Sequence, residues 1–109
     1  MTAGDFVGEW ALEWGAGKGT CHLARDGGYY EQWYGTVWHG NWQFVPATGA
    51  SAKESAGTLT VTEYPIQADG ALGRPLTWSA TLKPHSREGT LGNGGTFRLR
   101  FVEKARPDS

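Results

Sequence analysis

The stretch Gly4-Asp5-Phe6-Val7-Gly8-Glu9-Trp10-Ala11-Leu12-Glu13-Trp14, "GDFVGEWALEW", decides how the rest of the chain is read. Taken with period two, Phe6, Gly8, Trp10, Leu12 and Trp14 fall on one face. Val7, Glu9, Ala11 and Glu13 fall on the other. Successive side chains of an extended chain point to opposite sides, so this alternation predicts a strand buried on one face only. A lone strand cannot bury three large rings. The aromatic face has to meet others like it.

Such faces recur. "TVWHGNWQFV", Thr36 to Val45, sets Trp38, Gly40, Trp42 and Phe44 against Val37, His39, Asn41 and Gln43. Cys21 and Leu23 alternate with Thr20 and His22, and Leu59 and Val61 with Thr58, Thr60 and Thr62. Leu76, Trp78, Ala80 and Leu82 do the same, as do Phe97, Leu99 and Phe101, with a short strand over Arg87 to Leu91. Tyr29 to Tyr34 is rich in strand formers but does not declare its inner face. Gly15-Ala16-Gly17, Asp26-Gly27-Gly28, Gly35 and Gly92-Asn93-Gly94-Gly95 read as tight reversals. Pro46 to Ala56 and Pro65 to Pro75 read as the two long loops.

Short connections between consecutive strands make each the antiparallel neighbour of the last. The expected fold is all-β: one domain over residues 1–109, an eight-stranded antiparallel up-and-down β-barrel. Charge on the outer faces favours closure. Pairing the first and last strands with Glu9 opposite Arg100 and Val7 opposite Val102 also sets Arg98 diagonal to Glu13, with Asp5 and Lys104 extending the register.

Composition bounds the function. The 109 residues carry a formal net charge of −1, which offers no electrostatic footprint for nucleic acid or an anionic membrane. A single cysteine, Cys21, excludes an intramolecular disulfide and a cysteine-based zinc site. No segment reaches the roughly 18 apolar residues of a spanning helix. A cytoplasmic protein without a cofactor is expected. His22, His39 and His85 are too scattered for a metal site, and no nucleophile triad or phosphate loop is present.

Phe6-Val7-Gly8-Glu9-Trp10 resembles the Gly-x-Trp opening of the calycins, the lipocalins and avidins among them. The likeness implies that the motif lies on the first strand of an eight-stranded barrel holding a small hydrophobic ligand. A glycine-rich turn before "GYY" is similar to bacterial lipocalin-like proteins, for which the resemblance implies a barrel and no defined activity. The lipocalins' Thr-Asp-Tyr segment and C-terminal helix have no counterpart here, and the avidins' biotin-binding set does not map onto these residues.

The inward aromatics would be Phe6, Trp10, Trp14, Trp38, Trp42, Phe44, Trp78, Phe97 and Phe101. An eight-stranded barrel is just wide enough to be filled by side chains or to hold one small molecule. The expected function is non-enzymatic binding of a small hydrophobic or aromatic ligand at the mouth, by Trp14, Trp38, Trp78, Trp42 and Tyr30. Two other classes stay open. One is a structural, interaction or inhibitor-like barrel working through its outer surface. The other is a small cyclase-like enzyme, which a buried carboxylate among Glu31, Glu63 and Glu103 would favour. Gln32 to Ala52 holds no Asp, Glu, Lys or Arg. That charge-free face, with Tyr34, Val37, His39, Asn41 and Gln43, suggests a homodimer interface.

Overall fold

A computed structural model describes residues 2–14, 17–33, 35–84, 86–92 and 95–103, the last four of these by backbone alone. Eight strands follow one another: β1 (Gly8–Trp14), β2 (Gly17–Leu23), β3 (Gly28–Trp33), β4 (Thr36–Pro46), β5 (Gly57–Pro65), β6 (Leu76–Leu82), β7 (Glu88–Leu91) and β8 (Thr96–Glu103). Each pairs antiparallel with the next, and β8 returns to β1, closing the barrel in up-and-down order. No helix among the described residues is long and apolar enough to cross a membrane.

Alternation holds on most strands. Trp10, Leu12, Cys21, Leu23, Trp42, Phe44, Leu59, Val61, Ala80, Leu82, Phe97 and Leu99 are buried in one continuous core. Outside, hydroxyls couple β5 to β6: Thr60 meets Ser79 and Thr62 meets Thr77, each pair at 3.1 Å. Such cross-strand pairs each contribute about 0.2–1 kcal/mol. The Phe101 side chain lies outside the described residues.

Two expectations need correction. Phe6 is buried, but not on a strand: Ala3–Phe6 forms a 3-10 turn, and β1 starts only at Gly8, whose φ is 140°. The turn drives the Phe6 ring into the end of the barrel, where it meets Phe44 at 4.6 Å between centroids. Its backbone carbonyl accepts the Trp10 Nε1 proton at 2.7 Å. This end is plugged. The loop after β4 likewise contains a 3-10 turn, Gly49–Lys53.

The β1–β8 register is the second correction. Arg100 stands opposite Ala11 and Arg98 opposite Glu13, and an irregularity between Glu9 and Trp10 leaves Glu9 opposite Glu103. Apolar rungs decide this alignment: Trp10 faces Phe101, Leu12 faces Leu99 and Trp14 faces Phe97. Aligning these rungs outweighs exposed ion pairs, which are worth roughly 0.2–1 kcal/mol. Arg98 finds its carboxylate on β7 instead, 2.7 Å from Glu88. Lys104 lies outside the described residues.

Candidate functional site

The end opposite Phe6 is the mouth, where β1, β3, β5 and β7 finish and β2, β4, β6 and β8 begin. Trp14 and Trp33 are the last residues of β1 and β3, and Trp78 lies two residues into β6. Their rings interlock edge to face. Trp14 sits 5.1 Å from Trp33 and 5.1 Å from Trp78, and Trp78 lies 5.3 Å from Phe97. Such tilted contacts suit the aromatic quadrupole. Trp33 lies against the β2 backbone because Gly17 and Gly19 carry no side chain. A Cβ at either position would stand within 2.5 Å of its ring.

Under these indoles lies a buried polar chain. β3 turns Tyr29 and Glu31 inward, and β5 turns Glu63 inward; both glutamates are 1% exposed. The register explains how they meet. Tyr29 stands opposite Gly40 of β4, and Gly40 stands opposite Glu63 of β5. A glycine therefore separates phenol from carboxyl, and a Cβ there would come within 1.9 Å of the Thr62 carbonyl oxygen. Tyr29 Oη donates to Glu31 Oε1. Trp78 Nε1 donates to Glu63 Oε1 at 3.0 Å. Glu63 Oε2 is buried and receives no donor.

Burial and then the neighbouring Glu31 carboxyl push Glu63 up to about 8, against the pull of the Trp78 N–H. Burial also raises Glu31, although the Tyr29 hydroxyl and Glu63 hold it back. At neutral pH the coupled pair therefore keeps a proton. Burial, followed by the Glu31 charge, raises the Cys21 thiol, so that sulfur is protonated and unreactive. Burial, then Cys21 and Glu31, raise the Tyr29 phenol as well. No cation among the described residues pairs with either glutamate.

Beside the indoles an apolar cleft of about 750 Å³ opens to the outside, lined by Trp14, Leu76, Thr77, Trp78, Ser79, Leu91, Gly92 and Gly95. It exists because β7 is short. The β6–β7 ladder covers only Ala80–Leu82, so Leu76 to Ser79 run past it, and Gly92 N reaches the Ser79 carbonyl at 3.2 Å. Leu76 is 46% exposed at this lip.

Of the residues expected at a ligand site, Trp14 and Trp78 are brought together. Trp38 is half-buried on β4 opposite Glu31 and stands outside the cleft lining, while Trp42 is buried deeper, its Nε1 donating to the Ala24 carbonyl at 2.8 Å. Tyr30 faces outward, 40% exposed, with its ring 5.1 Å from His39. The inward places on β3 are taken by its neighbours Tyr29 and Glu31, which puts Tyr30 on the wrong side for a ligand in the barrel. His39, Asn41 and Gln43 are exposed on the outer face of β4, and Val37 is half-buried. Tyr34 and His85 lie outside the described residues, as does the Glu103 side chain. A homodimer through the outer face of β4 should give a mass near twice 11.8 kDa by light scattering; the monomer mass at high concentration would exclude it.

Two features of the mouth were hidden in the sequence. Trp33 sat in a run whose facing alternation could not decide, though Gly17 and Gly19 on the neighbouring strand mark where a ring lies on backbone. The meeting of Glu31 with Glu63 depends on register across three strands. Comparison of the chain with protein-family models, with curated proteins and with solved structures finds no match.

Proposed function

We propose that this barrel binds a small apolar or aromatic molecule in the cleft beside Trp14 and Trp78. The observation that carries the reading is the cleft itself: about 750 Å³, floored by two indoles and walled by Leu76 and Leu91. Ligand pockets are typically concave and mostly apolar, about 300–1,000 Å³, with a few polar groups at fixed places. Here Thr77 and Ser79 supply the polar part of the lining. The closed up-and-down barrel with Gly8-Glu9-Trp10 on β1 is what the calycin likeness implies, and it supports the same reading.

Native mass spectrometry of protein purified from its own host should reveal a retained ligand. In vitro, 2-naphthylmethanol should quench tryptophan emission saturably. Leu76→Asn should weaken that binding severalfold, because it removes an apolar wall. It should change stability by no more than about 0.5 kcal/mol at so exposed a position. Quenching that never saturates, or that Leu76→Asn leaves unaltered, would remove the cleft as the site.

The buried acid pair favours a second reading, a small barrel enzyme. A general acid must lie within hydrogen-bond reach of its substrate. Trp78 lines the cleft while bonded to Glu63, so acid catalysis here requires the indole to move aside first. A ligand recovered with unchanged mass after prolonged incubation would count against turnover.

A further inference from the structure

We infer that the molecule taken into the cleft is a small organic cation, an amine on an apolar or aromatic body, whose ammonium group reaches Glu63. The inference rests on the cleft reading and specifies its ligand class. Glu63 belongs to the outermost rung of the β5–β6 ladder, opposite Leu76, and Leu76 is a wall of the cleft. Its carboxyl therefore lies just beneath the rim. One oxygen holds the Trp78 indole N–H, and the other, Oε2, is buried without a donor. Trp78 is thus the partition between cleft and carboxyl, touching both.

The chemistry of this corner is one-sided. Two carboxyls and a phenol are buried together with no cation among the described residues to balance them. Burying acidic groups unpaired is costly, and what they lack is a positively charged donor. The Trp14 and Trp78 indoles line the adjoining cleft, and indole faces attract ammonium groups. A metal ion is the poorer candidate. No cluster of three or more His, Cys, Asp or Glu side chains among the described residues is arranged to hold one. An ammonium needs fewer anionic partners and brings several donors.

Binding swings the Trp78 indole from Glu63 and puts the ammonium N–H groups on both carboxylate oxygens. The apolar body lies in the cleft. Glu63 gives up its proton to solvent as the cation arrives, so charge in the corner stays balanced.

The test pairs 2-naphthylmethylamine with its neutral isostere 2-naphthylmethanol, titrated at about pH 7 by calorimetry in buffers of different ionisation enthalpy. The amine should bind at least tenfold tighter than the alcohol and release close to one proton, whereas the alcohol releases none. Glu63→Gln should bring the amine to within about twofold of the alcohol, and a cooperative urea unfolding transition shows that the variant is folded. Equal affinities, or amine binding without proton release, overturn the cation inference while leaving the cleft reading intact. Failure of both probes to bind overturns both.

Discussion

Raising the pH from about 5 to about 8 should cost this protein on the order of 4 kcal/mol of unfolding free energy, and Glu63→Gln should abolish most of that loss. The sign follows from where the proton is held. In the fold, Glu63 titrates at about 8, against an ordinary value of 4.5. Below the ordinary value both states are protonated and the group has no effect on stability. Between the two values the folded molecule keeps a proton that the unfolded chain has released, so stability falls as pH rises. Above about 8 the full penalty of a buried carboxylate beside Glu31 is present. Domains of this size are stable by only about 5–15 kcal/mol, so the effect is a large fraction of the whole. Gln at position 63 keeps an acceptor for the Trp78 N–H and places an NH₂ where the acid proton was. Urea unfolding at three pH values reads the outcome. A flat profile for the parent, or a Glu63→Gln profile as steep as the parent's, would show that the pair does not titrate as argued.

The second large effect lies at the other end. Phe6→Ala should destabilise by about 3–5 kcal/mol, the usual cost of emptying a buried phenylalanine site. Phe6 is 0% exposed, and its ring packs on Phe44. Arg87 spans the plug: its guanidinium lies 4.8 Å from the Trp10 ring centroid and 5.8 Å from that of Phe6. It also donates to the Asp5 carbonyl at 2.9 and 3.2 Å, tying the 3-10 turn down. Removing the ring leaves a void that a closed sheet cannot collapse to fill. Thermal unfolding should show the loss at the pH of greatest stability, and Phe6→Leu should recover most of it. A loss under about 1 kcal/mol for Phe6→Ala would mean that the turn is peripheral.

Sequence alternation carried the fold well where one face was purely apolar. Trp10, Leu12, Leu59, Val61, Ala80 and Leu82 declare their side without help, and all are buried. It failed on β3 for a physical reason. There the inward residues are Tyr29, Glu31 and Trp33 and the outward ones Tyr30 and Gln32, so an inward glutamate cancels the signal that alternation relies on. The β1–β8 register was also underdetermined. Charges repeating every second residue match equally well after a slip of two, which leaves every side chain on its proper face. Only the lengths of the apolar rungs break that tie. Of the candidate site, the tryptophans at strand ends were legible. The acid pair was not, because Glu31 and Glu63 stand on β3 and β5, which meet only through β4 between them.

The gap beside β6 also makes the barrel mechanically uneven. Toward the Phe6 end β6 is stitched on both sides, Ala80–Leu82 pairing with β5 and with β7, and widening it would break ladder bonds together with core contacts. Along Leu76 to Trp78 the lip has β5 on one flank and no ladder to β7 on the other, the Gly92 N–H reaching only the Ser79 carbonyl. That edge can bend outward while every rung to β5 stays made, which gives the wall compliance where Trp78 sits. Amide exchange of Leu76 to Ser79 should then outpace that of Leu59 and Val61 on the strand behind, and the entrance should adapt to guests of different width without loosening the core.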